Sequence, residues 1–138
     1  MAAYKNTEEL QQVMSELWDK IKADTAMSAE LLKAQLVVRF DYKEPKGSIT
    51  IDSSDGQEIK VYPGECDIKP LVEMSMSADI AHEFWLGKLS VPMAILTGKM
   101  IAKGPVNQAL ALLPAIKPAF AIYPQVYETS SARSSTPV

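Results

Sequence analysis

Between Leu36 and Val61 the chain changes side-chain character at every second residue, a period that fits strands and does not fit helix. Leu36, Val38, Phe40 and Tyr42 alternate with Val37, Arg39, Asp41 and Lys43, so one set turns toward a core and the other away. Glu44-Pro45-Lys46-Gly47 supplies a turn, after which Ile49 and Ile51 alternate with Ser48, Thr50 and Asp52. Asp55-Gly56 is a hairpin signal, because the central residues of the favoured turn need positive φ. Ile59 and Val61 carry the alternation to Pro63-Gly64. Three successive strands joined by tight turns predict an antiparallel meander.

Such a sheet needs its apolar face covered. Asn6 caps a helix over residues 6–23, with Glu9 completing a capping box. Leu10, Val13, Met14, Leu17, Trp18 and Ile21 fall on one of its faces. Ser28 starts a shorter turn through Leu32. A fourth strand, about Lys69 to Met76, leads into a helix capped by Ser77 with Asp79 near its positive end. Gly87 closes that helix in the left-handed conformation. The apolar segment between Gly87 and Gly98 is interrupted by Pro92 and reads as a wall around a space. A fifth strand runs from Lys99 to Lys103, and Pro105 opens a helix that ends at Pro114. Pro118 precedes another short helix covering Phe120 to Tyr123. The prediction is an α+β domain, a five-stranded mostly antiparallel sheet with helices covering one face. Residues 1–127 form one domain, and the Ser-, Thr- and Pro-rich residues 128–138 form a disordered tail.

Composition excludes several functions. A net charge of −3, with Arg39 and Arg133 the only arginines, disfavours a general nucleic-acid binder. No apolar run approaches the roughly 20 residues of a membrane helix. No secretory signal opens the chain, and the single Cys66 fits a reducing compartment, so the cytoplasm is the expected location. Neither Gly-Lys pair is a phosphate loop. His82 is the only histidine, beside Glu83 on a helix, and reads as a surface or interface residue. Cys66 lies between Glu65 and Asp67, neighbours that raise a thiol pKa. No metal-ligand spacing is present. The expectation is a protein that is not an enzyme and needs no metal or cofactor.

Three elements together carry a family resemblance: the strand-to-helix junction Met74-Ser75-Met76-Ser77-Ala78-Asp79, the Gly87-Lys88-Leu89 turn, and Gly98-Lys99-Met100-Ile101-Ala102-Lys103-Gly104 before a helix. In that order they resemble the sterol carrier protein 2 family, over roughly Leu32 to Tyr123. The resemblance implies a hydrophobic tunnel that accepts sterols, fatty acids, acyl-CoA or phospholipids. Some members are appended to peroxisomal enzymes and others serve quinone biosynthesis. This chain ends Thr136-Pro137-Val138 where stand-alone members often carry a Ser-Lys-Leu-like tripeptide, and that argues against peroxisomal delivery.

On this reading Ile80, Phe84, Trp85, Leu89, Met93, Leu96 and Met100 contact the lipid, with Leu110, Leu113 and Phe120 across from them. Ordinary core packing is the plain alternative for each. Lys88, Lys99 and Lys103 are candidates to meet a head group at the tunnel mouth, or are simply solvated turn and strand-end charges. At roughly 0.8 kcal/mol per methylene, ten buried methylenes offer on the order of 8 kcal/mol before ordering costs, enough for a carrier without a conspicuous motif. The expected function is binding and intracellular carriage of a fatty acid, acyl-CoA, sterol-like or isoprenoid molecule, with transient membrane contact. The alternative is an accessory module for a lipid-metabolic enzyme, with little or no tunnel. An apolar cavity above about 300 Å³ favours the first, and a filled interior the second.

Overall fold

A computed structural model describes residues 2–130. Two helices lead, α1 (Thr7–Ala23) and α2 (Thr25–Ala34), followed by strands β1 (Val37–Lys43), β2 (Gly47–Asp52), β3 (Lys60–Pro63) and β4 (Val72–Ser77). Next come α3 (Ala78–Trp85), α4 (Val91–Leu96), β5 (Met100–Lys103), α5 (Val106–Leu110), α6 (Leu113–Ile116) and α7 (Ala119–Thr129). The five strands form one sheet in the order β3-β2-β1-β4-β5. All pairs are antiparallel except β1 with β4, which run parallel with Phe40 opposite Met74 and Tyr42 opposite Met76. Among the described residues no single helix is long and apolar enough to cross a membrane.

Register decides the two faces. Val38, Phe40 and Tyr42 share a face with Ile49, Ile51, Met74, Met76 and Met100, and the helices lie over it. Along α1 the expected stripe is buried without exception, from Leu10 to Ile21. Asn6 Oδ1 accepts from the Glu9 amide at 2.8 Å, and the Glu9 carboxylate accepts from the Lys5 amide one residue outside the cap. The opposite face carries Arg39, Asp41, Thr50 and Glu73. Arg39 Nη2 donates to the carbonyls of Cys66 (3.3 Å) and Ile68 (2.9 Å) and so draws the 64–71 loop across that face.

The N-terminal residues are tied down. The Ala3 amide donates to Asp79 Oδ1 at 2.8 Å, the Tyr4 hydroxyl meets that of Tyr123, and the Tyr127 hydroxyl donates to the Ala3 carbonyl. This strap links the start of the described chain to α3 and α7.

Several expectations need correction. Asp55-Gly56 does not close a tight hairpin: only Gly56 has positive φ, and a loop separates Asp52 from Lys60. Ser53 is drawn away to bond both the amide and the carbonyl of Leu36, and Asp55 accepts the Gln57 and Glu58 amides, so the chain takes a wider path. The second helix begins at Thr25, not at Ser28, because Asp24 Oδ1 caps it through the Met27 amide. The segment taken as a wall between Gly87 and Gly98 contains a helix, α4, capped by Ser90 with Pro92 in its first turn. The helix expected up to Pro114 breaks into α5 and α6. Residues 128–129, expected in the tail, complete α7, and Ser130 is its buried cap. The rest of the proposed tail, with Thr136-Pro137-Val138, lies outside the described residues.

Candidate functional site

Between the sheet and its helices lies an apolar cavity of about 80 Å³. The sheet supplies its floor through Val38, Phe40, Tyr42, Ile51, Met74 and Met76. Phe84 and Trp85 from α3, with Trp18 from α1, form an aromatic wall, the Trp18 and Trp85 rings edge-on at 5.8 Å. Val91 and Met100 close one side. Over the top run α5 and α6 with Leu110, Leu112, Leu113 and Ile116. These two helices are short, neither has a side-chain cap, and α5 buries no residue fully. They are the least secured part of the enclosure, the kind of element that opens at low free-energy cost. Burial pushes the Tyr42 phenol pKa up, with Tyr4 and Asp41 adding to the shift, so the floor is uncharged.

Of the ten residues expected to contact a lipid, Phe84, Trp85, Met100, Leu110 and Leu113 line this cavity. Ile80, Leu89 and Phe120 are half-buried and pack against the core outside it. Phe120 stands behind the aromatic wall, its ring 5.3 Å from that of Phe84. Met93 and Leu96 are on the surface, 56% and 79% exposed, and do not border the cavity. The α4 helix explains this: Val91 and Ala94, three apart, turn inward, and Met93 and Leu96 point away. Lys88, Lys99 and Lys103 are exposed and none lines the cavity.

Sequence reasoning missed the floor. The signal is present in the sequence, because the alternation of Val38, Phe40 and Tyr42 marks a core face, and a cavity under helices must be floored by that face. It also missed Trp18, whose place in the apolar stripe of α1 gave no sign that it borders a space.

Two other groups behave differently from expectation. His82 is half-buried in an aromatic cluster: Nδ1 lies 2.6 Å from the Tyr123 hydroxyl, and the Tyr127 ring is 4.4 Å away. It does not line the cavity. The Cys66 thiol pKa is lowered, not raised, first by a hydrogen bond from the Thr50 hydroxyl, then by the Ile68 amide and Arg39. The acidic neighbours are not among the causes of the shift, so chain adjacency misjudged the field at sulfur. Cys66 borders an open polar cleft of about 330 Å³ on the other face of the sheet, with Arg39, Asp41, Ser48, Glu65 and Asp67. Its polarity makes that cleft unsuited to an apolar guest. Among the described residues no group of three or more His, Cys, Asp or Glu side chains is placed to hold a metal ion.

The sequence model of the SCP-2 sterol transfer family matches residues 16–117. The chain belongs to that family. The match begins within α1 and ends before α7, so it spans the sheet and every element around the cavity. No curated protein matches the chain in sequence. Among solved structures, sterol carrier protein domain 2 of Helicoverpa armigera superposes with TM-score 0.66 at 22% identity, covering 86% of this chain and 94% of that one. Palmitated SCP2L2 from Aedes aegypti gives 0.56 at 16% identity, with 77% and 92% covered. The UbiJ-SCP2 ubiquinone synthesis protein gives 0.58 at 16%, with 76% and 85% covered. At these identities the likeness establishes the fold: the α+β sheet and its helical cover are those of the SCP-2 family.

Proposed function

We propose that this domain binds and carries a lipid, without catalysing a reaction, by admitting it between the sheet and the α5–α6 cover. The observation that carries this reading is the apolar cavity itself, whose boundary draws on α1, α2, the sheet, α3, α4, α5 and α6. At about 80 Å³ the cavity is smaller than the roughly 300 Å³ of an ordinary small-molecule site, so a whole lipid enters only if its cover moves. The weakly held α5 and α6 supply that movement. Membership of a sterol transfer family and the palmitated neighbour from Aedes aegypti support an acyl or polycyclic guest.

Native mass spectrometry of freshly purified protein, with extraction of any retained molecule, tests this directly. A co-purified lipid is the expected result. Ligand-free protein that also fails to take up a fluorescent fatty acid or sterol overturns the proposal. Phe84→Asp places a carboxylate in the aromatic wall and should abolish uptake of the fluorescent fatty acid; a folded variant with unchanged affinity removes Phe84 from the site.

The small volume favours one second reading, an accessory domain with a reduced tunnel that assists a lipid-metabolic enzyme. The likeness to a ubiquinone synthesis protein fits it. Pull-down by the tagged domain of an enzyme acting on an apolar substrate, with no lipid retained, would select this reading over carriage.

A further inference from the structure

The face of the sheet turned away from the helices carries a second site. Strand alternation puts Arg39 and Asp41 on that face, and the β1–β2 register sets Asp41 opposite Ser48. Arg39 holds the 64–71 loop by two carbonyls, and that loop brings Glu65, Cys66 and Asp67 to the cleft of about 330 Å³.

Two polar groups inside it are left over. Ser48 is 9% exposed, and among the described residues its hydroxyl has no hydrogen-bond partner. The unpaired buried side-chain atoms that are sealed from solvent are Trp18 Nε1 and Ser130 Oγ. The Ser48 hydroxyl therefore keeps an opening, and the cleft is what it opens into. The Asp41 carboxylate, half-buried, likewise makes no hydrogen bond or ion pair among the described residues. Burial raises its pKa against the pull of Arg39 and Lys103, so the protein gives this carboxylate too little counter-charge. Buried polar groups are normally answered by a partner, and here the partner comes through the opening.

Charge and spacing decide its chemistry. Three carboxylates border the cleft against one cation, Arg39. That guanidinium is already committed: Nε donates to Thr50 Oγ1 at 3.2 Å, Nη2 to the Cys66 and Ile68 carbonyls, and Nη1 lies 3.8 Å from Glu73. An anion would meet repulsion and no free donor. A single metal ion does not fit either, since among the described residues no group of acidic or thiol side chains converges to hold one. A flexible chain with ammonium groups several bonds apart matches carboxylates that are spread out, each ammonium bringing three donors and no acceptor. The volume suits a small molecule.

We propose that this cleft binds an aliphatic polyamine, one ammonium group seated between the Asp41 carboxylate and the Ser48 hydroxyl, and another meeting Glu65 and Asp67 at the rim. The site is separate from the lipid cavity, with which it shares no lining residue.

Calorimetric titration at low salt with 1,4-diaminobutane and spermidine tests it. Both should bind saturably, one per chain, tighter than butylamine and more weakly as salt is added. Asp41→Asn should weaken binding about tenfold or more, the loss of a charge-assisted hydrogen bond, and Ser48→Ala roughly two- to tenfold. Asp19→Asn removes the same charge from the exposed side of α1 and should change nothing. In wild-type protein, NMR shifts on adding the diamine should centre on the amides of Asp41, Ser48 and Cys66, a readout that needs no variant to fold. Asp19→Asn weakening binding as much as Asp41→Asn, or shifts scattered over the acidic surface, would reduce the effect to general attraction and overturn the proposal. So would calcium, which carries the same charge as the diamine, displacing it at equal concentration. A dilysine peptide blocked at both ends and binding tighter than the diamine would point to a protein's lysines as the guest, and also overturns it. None of these results bears on lipid uptake, which Asp41→Asn should leave intact.

Discussion

Filling the cavity should move stability and binding in opposite directions. Ala81 is 1% exposed on α3 and borders the space, so Ala81→Leu adds three carbon atoms there without disturbing a polar group. Each methylene-sized group removed from water is worth roughly 0.8 kcal/mol, about 2 kcal/mol in all if the space accepts them. Overpacking a filled core costs about 1–3 kcal/mol, but an existing void puts this site at the low end. The expected net gain is therefore about 1 kcal/mol, a rise in Tm of roughly 3–5 °C for a chain of this size. The same atoms deny a lipid about three methylenes of contact, which weakens binding by more than tenfold. Thermal melts of ligand-free protein and titration with a fluorescent fatty acid read the two effects separately. A destabilised variant with unchanged affinity would refute the reasoning, since it would mean that Ala81 faces packed atoms and the guest lies elsewhere.

Other perturbations probe the frame around the site. At Gly104, φ is +95° and a Cβ would sit 2.1 Å from the Leu71 carbonyl oxygen, so Gly104→Ala should cost about 3 kcal/mol or more in urea unfolding. A variant as stable as wild type would disprove that close approach. Tyr123→Phe removes the hydroxyl joining Tyr4 and His82 in a fully buried position and should cost about 1–3 kcal/mol by the same measurement. The lowered Cys66 pKa means more thiolate at a given pH, so iodoacetamide labelling should reach half-maximal rate at lower pH than for a free thiol. Thr50→Val should move that midpoint upward. Because the folded state holds this proton less tightly, the associated stability is full above the unfolded thiol pKa and is lost as pH falls through the folded one. A midpoint unmoved by Thr50→Val would remove that hydroxyl as the main cause.

Elements whose cause is local were readable before any coordinates. The stripe from Leu10 to Ile21, the Ser77 cap and the left-handed Gly87 each follow from residues within a few positions of one another, and each is found as expected. What failed depended on distant partners. Ser53 abandons the hairpin because Leu36 offers it two backbone groups. The thiol of Cys66 answers to Thr50 and Arg39, far away in the chain, more than to Glu65 and Asp67 beside it. The helical period of residues 91–96 was hidden by Pro92, although a proline in the first turn is compatible with helix. That error placed Met93 and Leu96 inside. On the candidate site, the aromatic pair Phe84–Trp85 was legible from its helix, while the floor required knowing which strands lie side by side.

The strap formed by Ala3 and Tyr4 has a practical outcome for handling this domain. Because Tyr127 reaches the Ala3 carbonyl, the two ends of the described chain emerge together at one corner of the molecule. A host protein could therefore receive the whole unit within a surface loop through two brief linkers, with little separation of the host's own backbone.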